Sequence, residues 1–111
     1  MSAKQDLGAL SAALCAHIKE WKVKSSSIVD VLNDHYGQNF ASIDPSGNFV
    51  ALRDRGDGAR FWLQEIWFDD MFCERFRVYT GPRNPAEIAL SCREVLCGDM
   101  EHAINAFYRI P

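Results

Sequence analysis

The residues able to make or break bonds in this chain are few and scattered. Cysteines stand at Cys15, Cys73, Cys92 and Cys97, and histidines at His17, His35 and His102. An even cysteine count in a secreted chain suggests two bridges. Zinc sites, however, usually bring two ligands together over a C-x-x-C type of turn, whereas Cys92 and Cys97 lie five apart in a helical pattern and point to different faces. Reduced, partly buried thiols are therefore the expected state, and no metal or cofactor is expected. A Cys–His nucleophile pair needs only to meet in space, and nothing in the spacing favours one. The Glu65 and Glu74 carboxylates are suited to acid or base work, but strand carboxylates near arginines are usually surface ion pairs. An enzyme would need a concave pocket in which Glu65 or Glu74 comes within hydrogen-bond reach of a histidine or cysteine. Arg55-Gly56-Asp57 matches the integrin-recognition tripeptide. Inside Arg53-Asp54-Arg55-Gly56-Asp57-Gly58 it reads as a polar turn carrying two glycines. No catalytic residue is assigned, and the expectation is a non-enzymatic binding module.

The composition sets the frame for that module. The chain has 111 residues, with 12 basic against 15 acidic side chains and a formal charge of −3, which predicts one mildly acidic domain over 1–111. A chain of this length buries about two-thirds of its unfolded surface, enough for one core. Lys19, Glu20, Lys22 and Lys24 interrupt the best apolar run, so no membrane helix is expected. No signal-peptide pattern stands at the N-terminus, and a cytoplasmic location is expected.

The elements that must position the residues follow from periodicity. From Ser2 to about Lys24, Leu7, Leu10, Leu14, Ile18 and Trp21 recur at steps of three and four among charged residues, which predicts an amphipathic helix started by a Ser2/Gln5 capping box. Leu7, Leu14 and Trp21 also repeat every seven residues. The stripe is thus readable either as a helix packed on its own sheet or as a seam that pairs two copies into a homodimer. Ser25-Ser26-Ser27 breaks the pattern, and Ser27 is expected to cap a second helix carrying Ile28, Val31 and Leu32, stopped at Gly37. Phe40 to Ile43 and Asn48 to Arg53 flank the turn Asp44-Pro45-Ser46-Gly47 and predict a hairpin. Ala59 to Phe68 and Phe72 to Thr80, separated by Asp69-Asp70-Met71, predict another. Asn84-Pro85 is a helix start, and the helix is expected to run through Ile88, Cys92, Val95 and Leu96. After Gly98-Asp99 a last helix carries Ala103, Ile104, Phe107 and Ile110. The predicted fold class is α+β: N-terminal helices, an antiparallel meander of three to four strands, and a C-terminal helix or helix pair.

If Asp69 to Met71 form a three-residue loop, Phe68 faces Phe72 and the sheet separates into two faces. One collects Trp62, Gln64, Ile66, Phe68, Phe72, Glu74, Phe76 and Val78 and reads as core. The other collects Phe61, Leu63, Glu65, Trp67, Cys73, Arg75, Arg77 and Tyr79, with Glu65 opposite Arg75. A one-residue slip would reshuffle these assignments. Phe61, Leu63, Trp67 and Tyr79 beside Arg75 and Arg77 have the composition of a protein-binding surface, unless helices wrap both faces. Arg53, Arg55, Arg60, Arg75, Arg77 and Arg83 among strand aromatics also suit stacking on nucleic acid. The acidic balance and the missing RNA-recognition signature argue against that partner. The candidate protein-binding residues are therefore Leu7, Leu10, Leu14, Ile18 and Trp21 on the helix, and Phe61, Leu63, Trp67, Arg75, Arg77 and Tyr79 on the sheet.

In length, in its two N-terminal helical segments, short meander and C-terminal helix from Asn84-Pro85, the whole chain resembles the small bacterial quorum-sensing anti-activator proteins. The resemblance rests on layout, with no short motif. It implies binding to a LuxR-type acyl-homoserine-lactone receptor, a transcriptional activator, without an enzymatic step and by occupation of a surface the receptor needs for itself. Phage anti-CRISPR and toxin-immunity inhibitors share the same size and acidity, and a small enzyme or an assembly subunit are the remaining classes.

Overall fold

Burial decides between the two readings of the first helix. In a computed structural model of the chain, which describes residues 10–18, 25–82 and 92–110, residues 10–18 are helical (α1), and Leu10, Leu14 and Ile18 lie fully inside the chain's own core. A side chain cannot be both there and in an intersubunit seam, so the helix-seam homodimer loses its surface at these three positions; Leu7 and Trp21 lie outside the described residues. The second helix, α2 (Ser25–Tyr36), takes in all three serines instead of starting after Ser27. Ile28 and Leu32, four apart, point its apolar side inward. Gly37 ends the helix at φ 114°, a left-handed conformation glycine adopts without Cβ strain, and its N–H donates to Asn33 O at 2.8 Å.

Five antiparallel strands follow, in the spatial order in which the chain makes them: β1 (Ala41–Ile43), β2 (Val50–Leu52), β3 (Arg60–Phe68), β4 (Met71–Gly81) and β5 (Cys92–Leu96). The first hairpin closes on Asp44, whose carboxylate accepts the Phe49 N–H at 3.0 Å and the Ser46 hydroxyl at 2.8 Å, so a buried charge is matched by donors. A 3-10 turn (Cys97–Asp99) then leads into α3 (Met100–Tyr108). Asp99 sits at the head of α3 without making the side-chain cap expected of it.

The sheet is one strand larger than the predicted meander, because residues 92–96 form β5 where the sequence reads as helix. The eleven-residue β4 has an edge to satisfy, and β5 pairs along it from Arg75↔Leu96 to Tyr79↔Cys92. Ladder bonding and burial of Val95 outweigh a weak helical pattern. The expected helix start at Asn84-Pro85 lies outside the described residues.

All three helices contribute to the core on a single face of the sheet, with Leu14, Ile18, Leu32 and Ile104 meeting Leu52, Phe61, Leu63, Phe76 and Val78. On the other face Phe49, Ala51 and Trp62 form a smaller buried cluster joined by Tyr79.

Candidate functional site

The register of the β3–β4 hairpin decides which side chains reach the surface. Its turn has two residues, Asp69 and Asp70, both left-handed at φ 49° and 62°, so Phe68 faces Met71 and Trp67 faces Phe72. This is the twist-compatible mirror-image turn of tight hairpins. It moves the pairing by one residue from the three-residue loop, and the faces of β3 exchange. Phe61 and Leu63 are completely buried beside Phe76 and Val78, and Trp67 is half-buried against the core and packs on Phe72 with ring centroids 5.7 Å apart. These three are core residues and not an outward patch. Glu65 faces Phe76, not Arg75, and Arg75 instead pairs with Glu94 at 3.3 Å. Among the described residues, the buried Oε2 of Glu65 has no hydrogen-bond partner.

The outward face of β4 does carry Arg75, Arg77 and Tyr79, as the alternation requires. Tyr79 leans on Phe49 in an edge-to-face contact at 5.3 Å and is half-buried there, with Arg77 beside Glu94 across the ladder. Between Glu65↔Phe76 and Trp67↔Phe72, β3 advances two residues and β4 four. The surplus forms a bulge in which Glu74 is left-handed at φ 58°. Beyond this bulge the hairpin runs past both neighbours: β2 reaches only as far as Val50↔Leu63, and β5 only to Arg75↔Leu96.

The tip so formed carries the two most exposed large apolar side chains among the described residues, Phe68 at 71% and Met71 at 70%. They face each other across the turn, so the exposed carbon is one patch, next to the charges of Asp69 and Asp70. Leu96, also exposed, pairs with Arg75 at the same end of the sheet. Sequence reasoning placed Phe68 on the core face. The signal for its true position was the Asp69-Asp70 pair between two apolar residues, since aspartate tolerates positive φ better than most side chains.

Beneath the tip the fold assembles a group with no trace in the sequence. Cys15 Sγ of α1 donates to Glu74 Oε1 at 3.5 Å, although the residues are 59 apart. Cys97 Sγ donates to the Ser11 carbonyl at 3.5 Å. These side chains line an open groove of about 640 Å³ together with Leu96 and Asp99. A thiol beside a glutamate in a cleft is the juxtaposition the enzymatic alternative asks for. In this arrangement the carboxylate accepts the S–H and fixes its direction. Burial, and then Cys15 and Glu74, push the Cys97 thiol up from its ordinary value. Cys73 and Cys92 are exposed, and all four cysteines are unbridged.

A second buried polar joint ties the chain's two ends. Glu101, in the first turn of α3, accepts the Leu10 N–H at 3.1 Å and faces His35 Nε2 at 3.7 Å, and its own N–H donates to Ser11 Oγ at 3.3 Å. Tyr36 donates to Asn105 Oδ1 at 2.8 Å nearby, and burial followed by the Glu101 charge raises its phenol well above the usual range. The Arg55-Gly56-Asp57 turn closes on itself: Arg55 binds Asp57 through NH2 at 2.8 Å, donates to Phe107 O and lies over the Phe107 ring at 4.6 Å. The Arg55 hydrogen bond, helped by the Ala59 N–H, lowers the Asp57 carboxyl to about 2. Among the described residues there is no cluster of ligands that could hold a metal ion, and no helix long and apolar enough to cross a membrane. No protein family, curated protein or solved structure matches the chain.

Proposed function

We propose that this protein is a non-enzymatic, cytoplasmic protein-binding inhibitor that occupies the interaction surface of a regulatory protein, and that its contact surface is the tip of the β3–β4 hairpin. Among the described residues, most of the large apolar side chains lie in the chain's own core, so the reading rests on those left outside. The single observation that carries it is the facing pair Phe68 and Met71, exposed at 71% and 70% at the end of a hairpin that outruns both neighbouring strands. Phe68 and Met71 gain little folding stability at such exposure, and apolar anchors beside charged rim residues are what a protein partner buries. Behind them Trp67 meets Phe72 in a tilted contact and Phe72 meets Phe76 edge to face, each at 5.7 Å, a packed base that would lower the ordering cost of binding.

Burying each of the two side chains contributes about 1.5–3 kcal/mol, or roughly tenfold or more in affinity apiece. The resemblance of the sequence to quorum-sensing anti-activators makes a LuxR-type receptor the first partner to test. The experiment compares the natural chain with the double variant Phe68→Ser/Met71→Ser in affinity capture from the native host, followed by titration of the captured protein or the purified receptor. The expected result is a partner held by the natural chain and bound at least tenfold more weakly by the variant, with an unchanged melting midpoint. A variant that captures the same protein with the same affinity would remove the tip from the interface.

A further inference from the structure

We propose that Cys15 and Cys97 form a reversible disulfide site, oxidised by a low-molecular-weight disulfide that enters the groove beside Glu74; this does not depend on the protein-binding reading.

The geometry carries the argument. In α1, Ser11 and Cys15 stand one helical turn apart on the same side, and the Ser11 carbonyl accepts the Cys97 S–H at 3.5 Å. Cys97 Sγ is thereby held against the helical turn that carries Cys15. Cys15 Sγ is fixed in turn by Glu74 Oε1 at 3.5 Å, and both cysteines line the same groove of about 640 Å³. Cys15 is half-buried and reachable from that groove, while Cys97 is buried in its wall. The attacking and resolving roles follow from this difference in access. Burial, and then a hydrogen bond with the Cys15 side chain, push the Cys97 thiol up, and that hydrogen bond puts the two sulfurs side by side. Cys73 and Cys92, although exposed, sit on the hairpin bulge and on β5 and have no such arrangement around them.

The chemistry balances with one co-reactant, glutathione disulfide being the probe. Cys15 loses its S–H proton by way of Glu74 to water, and its thiolate attacks one sulfur of the probe. The probe's S–S bond breaks, and one glutathione leaves as a thiolate that takes up a proton. Cys97 then loses its proton to water, and its thiolate attacks the Cys15 sulfur of the mixed disulfide. The Cys15–Cys97 bond forms as the second glutathione leaves and is protonated. Two protein thiols have been oxidised by two electrons, and one glutathione disulfide has been reduced to two thiols. The bridge pins α1 to the 3-10 turn and closes a loop of roughly 80 residues, which restricts the unfolded chain and raises the melting midpoint.

The test uses the full chain and, beside it, the full chain carrying Cys73→Ser and Cys92→Ser, which removes the exposed thiols. Each is treated with glutathione disulfide while the circular dichroism spectrum stays native. The proposal expects the variant to lose both free thiols, to fall in mass by about 2 Da with no glutathione retained, and to yield a peptide joining Cys15 to Cys97. Dithiothreitol should reverse all three, and the natural chain should yield the same cross-linked peptide. Adding Cys97→Ser should trap glutathione on Cys15. Where that variant does not fold, adding Cys15→Ser instead should leave Cys97 unreactive in the native state. Two thiols that stay free, or a glutathione adduct on Cys15 that persists with Cys97 present, would overturn the proposal.

Discussion

Replacing Leu14 by alanine tests the placement on which the rest of the architecture depends. Leu14 is 0% exposed, with Leu10 and Ile18 a turn away on each side, in a core shared with α2, α3 and the inner face of the sheet. Cutting such a side chain to Cβ removes its transfer free energy and leaves a cavity, at a cost of about 2–5 kcal/mol. With about 2.1 cal/mol/K of unfolding entropy per residue, a 111-residue domain has about 0.23 kcal/mol/K, so a 3 kcal/mol loss lowers the melting midpoint by about 13 °C. Because the cavity lies inside one chain, the shift should be the same at widely separated protein concentrations. If α1 paired two copies instead, the midpoint of the natural chain would fall on dilution and the substitution would alter that dependence. Thermal and urea unfolding, followed by circular dichroism and tryptophan fluorescence at low and high concentration, separate the cases. A loss below about 0.5 kcal/mol, the range of an ordinary surface change, would refute the core placement, as would a concentration-dependent midpoint.

Three further outcomes are expected. Asp69→Asn combined with Asp70→Gly should raise stability by about 0.5–1 kcal/mol in urea unfolding, because both positions have positive φ, and a loss would mean the turn is not the two-residue form. Glu101→Ala should cost about 1–3 kcal/mol by stranding the buried Leu10 N–H, while Glu101→Gln, which keeps an acceptor, should cost less; equal costs would remove that hydrogen bond from the account. Burial raises the phenols of Tyr36 and Tyr108 above their unfolded value of about 10, so the stability they contribute is whole below that pH and declines as pH rises past it. Phenolate absorbance from these two tyrosines should therefore appear together with loss of the helical signal, and ordinary ionisation in a chain that remains folded would contradict their burial.

Local chemistry made much of the fold readable in one dimension. The three- and four-residue spacing of Leu10, Leu14 and Ile18 marks a helix in any context, Gly37 marks its successor's end, and Asp44-Pro45-Ser46-Gly47 marks a hairpin, because each depends on residues close in sequence. The same stripe could not say whether it meets its own sheet or another copy, since an apolar face specifies burial and not the partner that supplies it. The β3–β4 register turned on whether Met71 belongs to the turn or to the strand, a difference of one residue that exchanges every side chain between faces. Residues 92–96 became a strand because β4 offered an edge, and that offer exists only once the sheet is built.

The candidate sites divide in the same way. The residues were all present in the sequence, but Cys15 meets Glu74 across 59 positions and Leu10 meets Glu101 across 91. No periodicity reports contacts of that span. Phe68 and Met71 were visible as apolar residues, and only the two left-handed aspartates between them, with neighbouring strands too short to cover the hairpin, turned them outward. Sequence alone determined which segments are amphipathic and where the chain turns, because backbone dihedrals and side-chain spacing are local. Tertiary structure decided which apolar residues remain in water and which thiols stand together, because both depend on how distant segments pack.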